Sequence, residues 1–133
     1  MTLKDSWPPS LLRELSEEEC IELLAIEPVG RVAYSTPAGP VVIPVNHVLD
    51  GRDILFRTSP HTPLARAMAG GVVTFEVDAY DAFHQSGWSV LVHGEPSFDE
   101  GTPDPEPVPW AEGPRHLTVR IRPHVITGRR LIG

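Results

Sequence analysis

Val73, Phe75 and Val77 alternate with Thr74, Glu76 and Asp78, so between Val72 and Tyr80 one face of the chain is apolar and the other polar. Period-two alternation marks a half-buried strand, because successive side chains leave a pleated backbone on opposite faces. The same pattern, or a β-branched run bounded by turn residues, recurs at 31–36, 41–49, 54–58, 88–95 and 116–123. Pro37-Ala38-Gly39-Pro40 and Asp50-Gly51-Arg52-Asp53 supply the turns that separate the first three. Six strands of this kind need their edges paired. The expected fold is therefore mainly β, a six-stranded antiparallel barrel that closes on itself.

Two segments read as helices. Ser16 and Glu19 form a capping box, in which a hydroxyl and a carboxylate each satisfy a backbone N–H at the helix start. Cys20, Ile21, Leu23 and Leu24 follow as one apolar stripe, and Pro28 with Gly30 is the expected stop. On that stripe Cys20 reads as a small core residue. The second helix is expected over 63–69, ending at Gly70-Gly71.

With 133 residues the chain is expected to form one domain over 1–133, with an N-terminal extension over 1–14 and a proline-rich connection over 100–114. A net charge of −7 and a single lysine, Lys4, argue against nucleic acid, which needs clustered cations to displace counterions. One cysteine allows no internal disulfide. No apolar run approaches the length of a membrane helix, and the first residues lack the apolar core of a signal peptide, so a cytoplasmic protein is expected. The six histidines show no metal-ligand spacing, and no metal site is expected.

Three segments carry candidate chemistry. Arg57, Thr58, Ser59 and Thr62 end one strand and precede a helix, which suits an anion; the same residues also serve as an ordinary helix cap, the simpler reading of spacing alone. Trp88 and Ser89, after Gly87, read equally as a core or interface anchor or as an aromatic wall with a hydroxyl beside a planar ligand. Pro44-Val45-Asn46-His47 places a proline inside a strand, pointing either to a plain bulge or to free backbone groups that could read a heterocycle edge. Glu76 and Asp78 are expected to be solvated. His47 and His61 are the nearest candidates for a catalytic proton carrier, with packing or ligand contact the simpler role for each.

In this order, the stations Gly30-Arg31-Val32-Ala33, Val42 to Asn46, Ile54 to Thr58, Thr74 to Asp78, Gly87 to Gly94, Pro109-Trp110 and Ile121 to Arg130 resemble the pyridoxamine 5′-phosphate oxidase-like family, the FMN-binding split barrels. The resemblance runs from about Leu15 to Leu131. It implies a homodimer with two FMN sites at the subunit interface. The backbone of Pro44, Val45 and Asn46 would face the pyrimidine edge of the flavin, and Arg57, Thr58, Ser59 and Thr62 would hold the ribityl chain and phosphate. Trp88 and Ser89 would come from a strand close to the cofactor, and Trp110 would lie near the ring from the partner subunit. The resemblance thus favours the anion seat over the cap.

One departure stands out. Relatives commonly carry lysine where this chain has Pro63. Proline suits a first helical position, but losing an ammonium beside a phosphate costs about 1–3 kcal/mol. The leading expectation is an FMN-dependent oxidoreductase passing hydride or electrons to a small substrate. The alternatives are a flavin- or deazaflavin-binding or sensing module without turnover, and a cofactor-free structural dimer.

Overall fold

A computed structural model describes residues 12–60, 62–99, 106–110 and 117–132. His61, His116 and most of both the N-terminal extension and the proline-rich connection lie outside the described residues. The elements run β1 (Leu12–Glu14), α1 (Glu17–Ile26), β2 (Val29–Thr36), β3 (Gly39–Asp50), β4 (Asp53–Thr58), α2 (Pro63–Ala67), β5 (Val73–Asp81), β6 (Ser86–Asp99) and β7 (Leu117–Leu131). All strand pairs are antiparallel, in the order β1-β7-β4-β3-β2-β5-β6, and a β6–β7 ladder closes the ring. The fold is a split barrel.

The six expected strands form that ring, and β1 is an addition. β7 is fifteen residues long, whereas β4 covers only its Leu117–Ile121 portion. Further along the same edge, Leu12–Glu14 pairs with Arg129–Leu131. The final strand was expected to stop at Pro123, yet it continues to Leu131. His93 faces Val125 and Gly94 faces Pro123, so His124 is the extra residue of a bulge. A bulge tolerates proline because the ladder is already interrupted there.

The alternation seen in sequence becomes the barrel interior. Val32, Ile54, Phe56, Phe75, Val77, Val90, Val92, Val119 and Ile121 are fully buried. Each such side chain contributes roughly 1.5–3 kcal/mol of transfer free energy. The capping box at Ser16 forms as expected, with Glu19 N–H donating to Ser16 Oγ (3.2 Å) and Ser16 N–H to Glu19 Oε1 (3.1 Å). α1 ends at Ile26, and Gly30 is already a strand residue rather than part of the stop. A Cβ at Gly30 would stand 2.2 Å from the Phe75 ring, so only glycine lets β2 pass there. α1 packs on β7, β3 and β6, burying Cys20 and Leu24. Cys20 Sγ lies over Gly128, where a Cβ would come within 2.6 Å of it.

Arg120 ties the barrel on its outer side. Its guanidinium donates to Asp99 (3.1 and 3.2 Å), to Asp53 (2.9 Å) and to Asp50 (2.9 Å), joining the β3–β4 turn to β6 and β7. Hydrogen bonds, first to Asp99 and then to Asp50 and Asp53, hold its proton more tightly than usual. Only 18% of the side chain is exposed, so removing it leaves three facing carboxylates, of which Asp53 and Asp99 are largely sheltered from water and Asp50 is partly screened. Arg120→Met should destabilise the fold by about 3 kcal/mol, with Arg120→Lys recovering part of the loss. Urea denaturation of the three proteins measures this; equal midpoints would refute it.

Candidate functional site

β3 changes partner along its length. Residues 39–46 pair with β2, whereas 47–50 pair with β4, and the β3–β4 ladder ends at His47 opposite Phe56. Beyond that point β4 stays beside β7 and β3 stays beside β2, so the two strands separate. The parity of β3 follows from its prolines. Pro40 and Pro44 have no N–H, so they occupy positions that point away from β2. His47 donates its N–H to Pro28 O (3.1 Å), which agrees. Val42 therefore turns its backbone N–H and C=O to the open edge, Pro44 its C=O and Asn46 its N–H, while the Asn46 C=O closes the β3–β4 ladder.

A cleft of about 280 Å³ occupies the separation. Of the ten candidate residues, Pro44, Val45, Asn46, Arg57, Thr58, Ser59 and Thr62 line it. Pro63 lines it as well, and Tyr34, Ile43, Leu64 and Pro109 complete the wall. These four were not anticipated as site residues. Tyr34, Ile43 and Leu64 carry the apolar pattern of core positions, which hides their place at the mouth of a cleft.

Thr62 caps α2. Its Oγ1 accepts from Ala65 N–H (3.0 Å) and donates to Ser59 O (3.0 Å), while its carbonyl takes the Arg66 N–H (3.0 Å). Pro63 contributes no N–H. The Ala65 and Arg66 N–H groups at the start of this five-residue helix are thus spent on its own cap, and an anion here would rely mainly on side chains. Thr58 is buried, with its Oγ1 3.4 Å from Thr62 Oγ1.

Arg57 is the cation of the cleft. Its Nη2 is 2.5 Å from Glu106 Oε1, and 21% of its side chain is exposed. Its Nε is buried and has no hydrogen-bond partner among the described residues. Cross-strand from it, Thr118 is fully buried with its hydroxyl likewise unpartnered. Asn46 Oδ1 accepts the backbone N–H of Trp110 (2.8 Å), so residues 106–110 cross the cleft as a strap, with Pro107 buried. Trp110 thereby meets Asn46 of its own chain.

Trp88 and Ser89 do not join this cleft. Trp88 packs partly against the core and lines a shallow groove with Tyr80, Arg130 and Leu131. Ser89 lines a wider depression of about 670 Å³ with Glu76, Leu91 and Arg129. There Glu76 departs from the expectation of a solvated carboxylate. It shares Arg31 with Asp78, at 3.1 and 3.3 Å, and burial together with the Asp78 carboxylate pushes it up to about 7.

His47 faces the core instead of the cleft. Its Nε2 is 2.8 Å from Leu24 O, its ring meets Phe75 edge-on at 5.0 Å, and its Nδ1 is buried without a partner. Donating to a carbonyl puts the proton on Nε2, and burial holds the imidazole below its usual value. Among the described residues no three metal-ligating side chains converge, and no helix is long and apolar enough to cross a membrane.

Residues 16–130 match the family described as Pyridoxamine 5′-phosphate oxidase. An uncharacterized protein of Mycobacterium tuberculosis is 35% identical across 90% of this chain and 85% of its own length. The structure of an FAD-binding protein from Mycobacterium smegmatis is 32% identical, covers 90% of this chain and 98% of that one, and superposes with a TM-score of 0.72. An FAD-binding protein from Mesorhizobium loti shares the fold, with a TM-score of 0.77 at 23% identity over 92% of this chain and 98% of its own.

Glu76 and His47 push stability in opposite directions with pH. As pH falls through about 6.5, the unfolded chain protonates His47 while the folded one resists, so stability drops. As pH rises from 4.5 toward about 7, the unfolded chain releases the Glu76 proton while the folded one keeps it, so stability drops again. Glu76→Gln should remove only the second effect. Its stability relative to the parent should increase from about pH 5 to about pH 8, measured by urea denaturation. A difference that stays flat would contradict the buried environment assigned to Glu76.

Proposed function

The chain belongs to the pyridoxamine 5′-phosphate oxidase family, and on that premise we propose that the β3–β4 cleft binds a flavin, FMN in the form the family resemblance implies, and that the protein is an oxidoreductase acting on a small substrate. The observation that carries the reading is the buried, unpartnered Nε of Arg57. A guanidinium donor with no partner among the described residues is suited to a ligand oxygen. The donor set around it agrees with the polar end of a flavin nucleotide. Arg57 would meet the phosphate, and the hydroxyls of Thr58, Ser59 and Thr62 would lie along the ribityl chain. The Pro44 C=O and the Asn46 N–H on the open edge of β3 would read the pyrimidine edge, with Tyr34, Ile43 and Val45 supplying the apolar wall.

Bound flavin would supply hydride or electron transfer; the protein's part is to hold the ring, orient it and exclude water. In the homodimer proposed here, Trp88 and Ser89 would approach the cofactor from the partner's barrel, which agrees with their distance from the cleft of their own chain. The neighbours from Mycobacterium smegmatis and Mesorhizobium loti are described as FAD-binding, which supports a flavin in general.

A flavin- or deazaflavin-binding module without turnover is the second reading. It is favoured by the lining of the cleft, where no described side chain is an imidazole or thiol and the one described carboxylate nearby, Glu106, is paired with Arg57. NAD(P)H-dependent bleaching of the purified yellow protein would decide for the enzyme, and a flavin that stays oxidised would decide for the module.

Arg57→Ala should weaken FMN binding by more than about tenfold if the guanidinium meets the phosphate. Flavin fluorescence quenching on titration gives the dissociation constants directly. Equal values for both proteins would remove Arg57 from the site, and a colourless protein that takes up no flavin would end the proposal.

A further inference from the structure

Glu106 sits where an anionic ligand would sit. Its carboxylate is 2.5 Å from Arg57 Nη2, the cation of the cleft. The strap that carries it is anchored just after that contact. Pro107 is buried, Pro109 lines the cleft, and Trp110 N–H is bonded to Asn46 Oδ1 at 2.8 Å. The carboxylate is thus delivered by a positioned segment, and it neutralises Arg57 before any ligand arrives. Pro63, at the start of α2, adds no compensating charge.

We propose that Glu106 is a specificity-determining residue of this cleft, an internal carboxylate that screens ligands by the charge of their phosphate end. The inference rests on the flavin reading for its natural ligand, though not for its anion chemistry. A phosphomonoester carries close to two negative charges at neutral pH, and it must displace Glu106 or lie beside it. The diphosphate of FAD carries the same total charge spread over two phosphates, one each, so less of it falls beside Glu106. A ribityl hydroxyl carries none. The cleft therefore disfavours the terminal phosphate of FMN relative to the diphosphate of FAD, and both relative to an uncharged riboflavin end. Arg57 Nε, buried and without a partner among the described residues, remains a donor for a neutral or singly charged oxygen while Glu106 is in place.

The test compares Glu106→Gln with the parent protein, using riboflavin, FAD and FMN as probes. Removing the carboxylate charge should tighten FMN by at least about tenfold, tighten FAD by less, and leave riboflavin unchanged. An equal gain for all three would overturn the proposal, because Glu106 would then act by closing the strap rather than by charge. No gain for FMN would overturn it as well. Inorganic phosphate provides a flavin-free probe. At fixed ionic strength, phosphate in place of chloride should raise the melting temperature of Glu106→Gln but not of the parent, and Arg57→Ala in the same background should abolish the rise. Absence of that rise refutes the charge gate whatever flavins do. A phosphate effect without any flavin binding would keep the gate and refute the flavin reading.

Discussion

The partner change of β3 at His47 governs the rest of the molecule. A twelve-residue strand cannot pair with a six-residue neighbour along its whole length, so some of its edge must go elsewhere. In this barrel β4 is drawn to β7, where Ile54 and Phe56 lie opposite Ile121 and Val119 in the core. β3 is held to β2 by eight consecutive register pairs. The point of separation is pinned by one imidazole, which bonds a carbonyl of α1 and rests on Phe75. The cost is a stretch of unpaired backbone, which burial would penalise without a partner. The prolines reduce it, since Pro40 and Pro44 remove two of the donors that would otherwise face the gap. The open edge is thus tolerated by sequence choice at the same place where a ligand can be read.

Two arginines on adjacent strands show how partners separate support from recognition. Leu55 lies opposite Arg120 and Arg57 opposite Thr118, so both guanidinium groups leave the same outer face of the β4–β7 ladder. Arg120 has three carboxylates and uses Nε and both terminal nitrogens. It is a completed network and leaves nothing for a ligand. Arg57 has one carboxylate and a bare, buried Nε. Unsatisfied donors are expensive to bury, so a fold keeps one where something else completes it. Charge alone would not separate these two side chains; the count of satisfied donors does.

Much of the architecture was legible because it depends on local chemistry. The capping box at Ser16, the turn at Gly51 in the left-handed region and the alternation through Val73–Val77 each require particular residues at short range, and all are found as expected. The convergence of Pro44–Asn46 with Arg57–Thr62 was accessible only through family resemblance, since no local rule brings residues so far apart to one cleft. Other features are long-range by nature. The continuation of β7 past Pro123 depends on a bulge against Gly94, and β1 depends on an edge that exists only once β4 has ended. Glu76 alternates like a solvated residue, but its cross-strand neighbours Arg31 and Leu91 decide its environment. Glu106 follows the same logic, its meaning arising from Arg57, which lies near it only in the folded chain.

The substitution at Pro63 and the position of Glu106 are best understood together. Proline at the first position of α2, behind Thr62 as cap, favours the helix by fixing φ and wasting no donor. It gives up the point at which a flexible ammonium could reach an anion. With that charge absent, Arg57 is the cation lining the described part of the cleft, and the strap already neutralises it. A cleft arranged in this way has polar groups but little net positive charge. Attraction of a phosphate then depends on direction more than on field, on the fork of one guanidinium and the hydroxyls around it, and screening by salt should matter less here than in a site built on paired cations. On the flavin reading, the same geometry would weaken the hold on a doubly charged phosphate while leaving the apolar wall and the open edge of β3 intact, so the heterocycle would become the dominant part of what the cleft recognises.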